Sequence, residues 1–261
     1  MMATPPLVSI ITVTKNRAGF LKRNIQSILE QSYPLLEHIV VDGASSDDSL
    51  RVIKEYETAY RLRWISEPDK NHAEAYNKGI KLSKGSIVGF LNSDDEYLPG
   101  TVQAVVDAFS REPVPDIVYG NILFVYDDST ERIKRFDTTN ARKMLYHTGF
   151  LPQQTLFYSR NILERTGLMN DALIWVPENE WWLRMFKLHP RITYVDQVFT
   201  KASLHKGSIS ILRAKEQLRE TTKIHLFKDP WHFPIYFWNR PLKSAAWRFV
   251  HNFLHNLALR E

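Results

Sequence analysis

Short apolar runs alternate with segments of helical spacing over the first third of the chain. Residues 7–13 form a β-branched run that ends at the turn-prone Lys15-Asn16-Arg17, which reads as a buried strand and a loop. Leu21, Ile25, Ile28 and Leu29 then recur at the three- and four-residue spacing of an amphipathic helix. Residues 38–41 make a second strand that stops at Asp42-Gly43, and a helix follows from about 49 to 60. Residues 62–65 are a third strand. Residues 73–82 are a helix with a stop signal at Lys84-Gly85, and 86–91 are a fourth strand running into Asn92-Ser93-Asp94-Asp95. This rhythm predicts an α/β fold with a doubly wound, mostly parallel sheet.

The pattern then loosens. Residues 116–125 and 132–136 read as strands around the polar Asp127-Asp128-Ser129, residues 155–158 as another, and 178–188 as a helix with Trp182 and Leu183 among its apolar members. Residues 213–261 read as a helical tail broken at Pro230, Pro234 and Pro241. The chain therefore divides into a main domain, 1–212, with a regular half over 1–120 and an α+β half over 121–212, followed by the tail.

Composition narrows the chemistry. The 261 residues include no cysteine, which excludes disulfides, thiolate zinc sites and cysteine nucleophiles. Any metal must use oxygen or histidine ligands. The net charge of +5 is mild, and no Lys/Arg run makes a nucleic-acid arm. The first residues lack the features of a signal peptide, and no apolar stretch is long enough to span a bilayer. These features lead to the expectation of a cytoplasmic protein. In the tail, Trp231, Phe233, Tyr236, Phe237, Trp238, Trp247, Phe249 and Phe253 are interleaved with Lys243 and Arg248. That mixture suits peripheral contact with the inner face of a membrane; it suits a cap on the core or an oligomer contact equally.

Doubly wound sheets bind ligands beyond the carboxyl ends of their strands, and three strand ends here carry Asn16, Asp42 and Asp94-Asp95. Adjacent carboxylates repel unless a cation compensates, and a hard divalent ion can bridge them to a diphosphate. A solvated acidic loop is the alternative. Asp42 suits either the N–H groups of a nucleobase or an Asx-turn, and Asp47 suits a helix cap. Ser66-Glu67-Pro68-Asp69 and Ala75-Tyr76-Asn77-Lys78-Gly79 have the polar density of a ligand rim. No G-x-G-x-x-G follows the first strand, which argues against a dinucleotide oxidoreductase.

Together these segments resemble family 2 glycosyltransferases. Residues 8–17 are similar to that family's opening strand and nucleotide loop, and 28–34 to its next helix and turn. Residues 41–47 are similar to its nucleoside-binding turn. Ser66 to Asp69, then Asn77-Lys78-Gly79, then Phe90 to Asp95 complete the set in the order of the branch that builds bacterial surface polysaccharides. After residue 120 the likeness continues in patches at 152–157, 178–184 and 205–210. The resemblance implies a GT-A type fold with the donor in the first half and the acceptor in the second. It implies a hexosyltransferase-like enzyme that inverts the sugar carbon. The donor would be a UDP-, GDP- or dTDP-sugar, the cation Mn2+ or Mg2+, and the acceptor a glycan or a lipid-linked glycan. Thr12, Thr14, Asn16, Arg17, Asp42, Ser45, Asp69, Asn77, Lys78 and Asn92 would hold the nucleotide sugar. Asp94 would contact ribose or metal, Asp95 would ligate the metal, and His205 would add a metal or phosphate contact. Matching Trp182-Leu183-Arg184 puts Glu178 at the general-base position, leaving Glu180 to face solvent or to pair with Arg184. Four positions depart from the family pattern: Asn92, the Asn71/Glu74 pair, Gln153, and Glu178 in place of an aspartate. A nucleotide-sugar-binding subunit of a polysaccharide assembly complex, without catalysis, is the alternative function.

Overall fold

A computed structural model describes residues 5–136, 152–204 and 212–228. The expectations for His205 and for the aromatic tail lie outside these residues. Strand β1 (Val8–Thr14) is hydrogen-bonded in parallel to β2 (Leu36–Asp42) on one side and to β4 (Ile87–Phe90) on the other; β2 in turn pairs in parallel with β3 (Leu62–Ser66). Both faces of β1 and β2 are covered, which is why their sequences are near-continuous apolar runs. Helices α1 (Ala18–Leu29) and α2 (Ser49–Tyr56) cover one face, where Leu21 and Ile25 meet Val40, Val52, Ile53 and Leu62. Helix α3 (His72–Leu82) covers the other, packing Ala73, Ala75 and Tyr76 on Ile11, Ile39 and Val41. At Gly79 a Cβ would overlap Ile11 Cγ2. That methyl is on a stiff β-branched side chain, so the glycine fixes how closely α3 approaches β1.

The chain continues through β5 (Asp95–Tyr97), α4 (Thr101–Phe109), β6 (Ile117–Tyr126), β7 (Glu131–Lys134), β8 (Leu156–Ser159), α5 (Arg160–Thr166), α6 (Pro177–Phe186), β9 (Ile192–Leu204) and α7 (Ala214–Lys228). One sheet takes the order β3-β2-β1-β4-β8-β6-β9-β5, with β7 joined to β6. The regular half is parallel, as expected from the sequence. Beyond β4 the sheet is mixed: β8 runs antiparallel to β4 and β6, β9 runs parallel to β6, and β5 runs antiparallel to β9. Residue 120 falls inside β6, so the sheet continues across the expected division between the halves.

An aromatic cluster joins the two halves. The Phe90 ring meets Tyr76, Tyr158 and Trp181 edge-on, with centroids 5.1, 5.7 and 5.8 Å away. Such pairings are favourable beyond the area they bury. Trp181 Nε1 donates to the Gly167 carbonyl at 2.7 Å, and Trp182 Nε1 to the Tyr158 hydroxyl at 2.9 Å. Helix α6 is thereby fastened to β4 and β8. Among the described residues no helix is long and apolar enough to cross a membrane.

Candidate active site

A cleft of about 920 Å³ opens at the carboxyl ends of β1 and β4. Its walls come from the loop after β1 (Thr14 to Arg17), the start of α3 (Asp69 to His72), the loop after β4 (Asn92 to Asp95), Gln153 and Gln154, the α6 face with Glu178, and part of α7. Sequence-distant carboxylates and the cations Lys15, Arg17 and Lys70 thus share one cavity.

The loop after β1 is built by its neighbours. Asn16 adopts φ 55, a conformation asparagine tolerates. Its backbone N–H donates to Ser45 Oγ at 2.8 Å, and its Oδ1 accepts from Ser46 N at 2.8 Å. Asp47 accepts from Ala18 N at 3.0 Å and Ser49 N at 2.9 Å, tying the starts of α1 and α2 together. Asp42 is fully buried and accepts from Ser45 N at 2.9 Å, Ser45 Oγ at 2.5 Å and Ser66 Oγ at 2.7 Å. Asp42 and Ser45 therefore shape the turn and do not line the cleft.

Three more residues expected to contact the nucleotide lie elsewhere. Thr12 is fully buried on the α1 side of β1, bonded to Asn24 and His38. Asn77 clasps the Met169 backbone, donating to its carbonyl and accepting from its N–H, both at 2.9 Å. Lys78 donates to the Pro68 carbonyl and pairs with Glu67, each at 2.9 Å. The residues of the expected set that line the cleft are Thr14, Asn16, Arg17, Asp69, Asn92, Asp94, Asp95 and Glu178.

The acidic loop is held tightly. Asp95 N donates to the Asn92 carbonyl at 3.0 Å, and Asn92 Nδ2 to the Asp95 carboxylate at 3.0 Å. The Tyr76 hydroxyl donates to Asn92 Oδ1 at 2.5 Å. Asp95 is 4 % exposed, and burial together with the neighbouring Asp94 charge raises its carboxyl well above the usual range. A cation would relieve both effects. Among the described residues no three His, Cys, Asp or Glu side chains gather as a metal cage. Two carboxylates from the protein suit Mg2+ or Mn2+, whose remaining positions are taken by phosphate oxygens and water. The chemistry of the donor set therefore fits such an ion.

Across the cleft, burial lifts the Glu178 carboxyl to about 7, and the nearby Glu220 charge pushes the same way. Glu220 accepts the N–H groups of Ile174, Trp175 and Val176 at 3.0, 2.7 and 2.7 Å, which orders the approach to α6. Glu180, two residues on, points away. It is 1 % exposed and pairs with Arg184 at 3.1 Å, so of the two expected alternatives it takes the ion pair, inside the protein. Thr14 Oγ1 and Gln153 Nε2 are buried in the cleft wall with no hydrogen-bond partner among the described residues. Gln153, Glu220 and Asn24 are not among the expected site residues. Gln153 carries a signal as a departure from the family pattern, and Asn24 as an amide on the apolar face of α1 between Leu21 and Ile28.

Comparison with known proteins agrees with this architecture. Residues 9–167 match the Glycosyl transferase family 2 model. An uncharacterized glycosyltransferase of Mycobacterium tuberculosis is 31% identical over 170 residues, which is 64% of this chain and 63% of the relative. The aligned region thus spans less than two thirds of that relative's length. An Escherichia coli enzyme named UDP-Glc:alpha-D-GlcNAc-diphosphoundecaprenol beta-1,3-glucosyltransferase WfaP is 24% identical over 217 residues, 82% of this chain and 84% of the relative. Among solved structures, S. aureus TarS in complex with UDP-GlcNAc superposes with a TM-score of 0.68 at 17% identity, over 85% of this chain and 67% of that one. A Pyrobaculum calidifontis mannosyltransferase in complex with GDP-Man and Mn2+ superposes at 0.63 and 18% identity, over 98% and 81%. The fold is that of the GT-A glycosyltransferases.

Proposed function

The chain belongs to glycosyl transferase family 2, and on that footing we propose that it transfers a sugar, with inversion, from a nucleotide-sugar donor to a glycan or lipid-linked acceptor in polysaccharide biosynthesis, using Mn2+ or Mg2+. The observation that carries this reading is the placement of Glu178, its carboxyl lifted to about 7, in the same cleft as Asp94 and Asp95. A binding subunit without catalysis has no use for such a base.

Asp94 and Asp95 would hold the divalent ion, which when bound neutralises charge developing on the leaving diphosphate. Lys15, Arg17 and Lys70 add positive charge to the same cleft. Thr14 and Gln153 supply an unspent hydroxyl and an unspent amide for the donor or acceptor. Asn16 and Asp69 line the cleft and would take the base and ribose, with Asp42 and Ser45 setting the shape of the turn behind Asn16. Glu178 takes the proton from the acceptor hydroxyl as its oxygen bonds to the anomeric carbon. The bond from that carbon to the diphosphate oxygen breaks on the opposite face, and its electron pair leaves with the nucleoside diphosphate. No covalent enzyme intermediate is needed.

The neighbours' complexes make UDP- and GDP-sugars the first donors to test. Incubation with a panel of nucleotide sugars is expected to release nucleoside diphosphate only when Mn2+ or Mg2+ is present. Binding without turnover across the whole panel, with acceptors supplied, gives the non-catalytic reading instead. We also propose that the aromatic and basic residues 231–254 touch the cytoplasmic face of a membrane that carries the acceptor. Flotation with anionic liposomes should recover the full chain and lose a chain ending at residue 228. If both fail to float, the tail packs on protein.

A further inference from the structure

Three polar side chains with no exposure at all, Thr12, Asn24 and His38, lie in one line behind the acidic loop. None of them lines the cleft. Buried polar groups are costly unless each finds a partner, and here the partners run in series. Asn24 Nδ2 lies 2.9 Å from the carbonyl oxygens of both Asn92 and Asp95. Asn24 Oδ1 lies 3.2 Å from Thr12 Oγ1, Thr12 Oγ1 lies 2.9 Å from His38 Nε2, and His38 Nδ1 lies 2.6 Å from the Tyr60 hydroxyl.

The direction of every bond in this series is forced. Carbonyls only accept, so the Asn24 amide nitrogen spends both hydrogens on Asn92 and Asp95, and its oxygen must face Thr12. Thr12 then donates its single hydrogen to Asn24 and must accept from His38. His38 therefore carries its proton on Nε2, and its bare Nδ1 accepts from Tyr60. Burial holds the His38 ring down to about 3, so it remains neutral and the series keeps its direction at physiological pH.

We propose that Tyr60, His38, Thr12 and Asn24 form a directed hydrogen-bond chain that holds the loop from Asn92 to Asp95 in register from the α1 side, making Thr12 and Asn24 positioning residues for the cation site. The chain pins the two carbonyls that flank the acidic pair, one on each side. Rotation of the loop would break both bonds and move the carboxylates with it. The effect on the cation rests on the reading given under Proposed function, whereas the effect on the loop does not. Residues behind a metal site that orient its ligands are typically worth a 10–100-fold change in metal affinity.

Thr12→Val removes the hydroxyl at nearly constant shape, and Thr12→Ser restores it. Two measurements separate the possibilities. Hydrogen exchange at residues 92–97 should quicken in Thr12→Val and return in Thr12→Ser, with β2 and β3 unaffected. Mn2+ titrated in the presence of UDP, and separately of GDP, should require about tenfold more metal for half-saturation in Thr12→Val and near-native amounts in Thr12→Ser. Nitrogen NMR of His38 should report a proton on Nε2. Unchanged exchange in Thr12→Val, equal damage from the valine and serine variants, or a His38 proton on Nδ1 would each overturn the proposal. If exchange quickens but wild-type protein shows no metal-dependent nucleotide binding, the chain stands and the cation reading fails. His38→Leu cuts the series one step further back and should likewise quicken exchange at residues 92–97, so the conclusion does not hang on one variant.

Discussion

Glu178→Gln is expected to reduce sugar transfer by about 10²–10⁴-fold while leaving donor binding intact. A sugar hydroxyl is a poor nucleophile near neutral pH, and a carboxylate already committed to a cation is a weak base. The base must therefore stand apart from Asp94 and Asp95 yet share their cleft, and Glu178 does so. Because burial lifts its carboxyl to about 7, kcat/KM in the wild-type protein should climb as pH rises toward 7 and level off above it. A hydrogen bond from its own backbone N–H opposes the lift, and the Glu220 charge adds to it.

Stability supplies an independent reading. The ordinary value is 4.5. Between that and about 7 the folded protein keeps a proton the unfolded chain has already lost, so stability falls as pH rises through this window. Glu178→Gln removes the penalty, and its Tm should match the wild type at low pH and exceed it at pH 8. Glu180→Gln should behave in the opposite way. It loosens the pair with Arg184, a side chain that also donates to the Thr166 and Leu168 carbonyls, and should cost about 1–3 kcal/mol of stability with the chemistry retained. A well-folded but inactive Glu180→Gln would place the base there instead; if neither variant loses transfer, the base lies on another residue.

Asp95→Ala is expected to abolish the metal-dependent part of donor binding with the fold preserved. Survival of the fold follows from what holds the residue. Its backbone carbonyl accepts from Asn24, its N–H donates to the Asn92 carbonyl, and its strand pairs with Ala202 through the main chain. The carboxylate itself accepts from Asn92 Nδ2 and from the Ser203 backbone N–H. Removing it also removes a buried charge beside Asp94, so the metal-free protein should lose no stability. Calorimetry of UDP and GDP sugars with and without Mn2+ checks this. Donor affinity that responds equally to Mn2+ in wild type and variant would remove Asp95 from the site.

How much of this was legible in the sequence follows from where each residue finds its partner. The strands and helices up to residue 91 encode themselves locally, in apolar runs buried on both faces and helices with one apolar stripe, and they appear where expected. Strand β9 is different. It is half-covered along most of its length, so its polar and apolar residues follow no simple period, and pairing with β6 and β5 makes it a strand. Strand β5 has three residues and no pattern of its own. Helix α4 is nine residues long, with Gln103 and Asp107 as its exposed side, so two polar positions are its whole periodic signal. Among the site residues, the acids at strand ends stood out because their neighbours in sequence form the cleft. Asn77 looked like a ligand because the backbone it clasps, at Met169, belongs to a distant part of the chain.

The order of strands in the sheet also bears on how the molecule is assembled. β1, β2 and β3 each find a partner one helix away along the chain, and contacts of that kind close quickly. Ile87 of β4 comes back to Val8 across three helices, Gly89 must wait for Phe157, and Asp95 for Ala202. Those closures span long stretches of chain and are slow, because the entropy of a large loop is lost before the pairing compensates for it. Strands β1 to β3 can therefore gather early around their own core, while β4, the cleft wall that carries Glu178 and the strand opposite Asp95 arrive late. A ribosome-bound or partly refolded chain in this order holds the walls of the loop after β1 well before it holds a complete set of reacting groups, and the last pairing to form is the one that turns a scaffold into a catalyst.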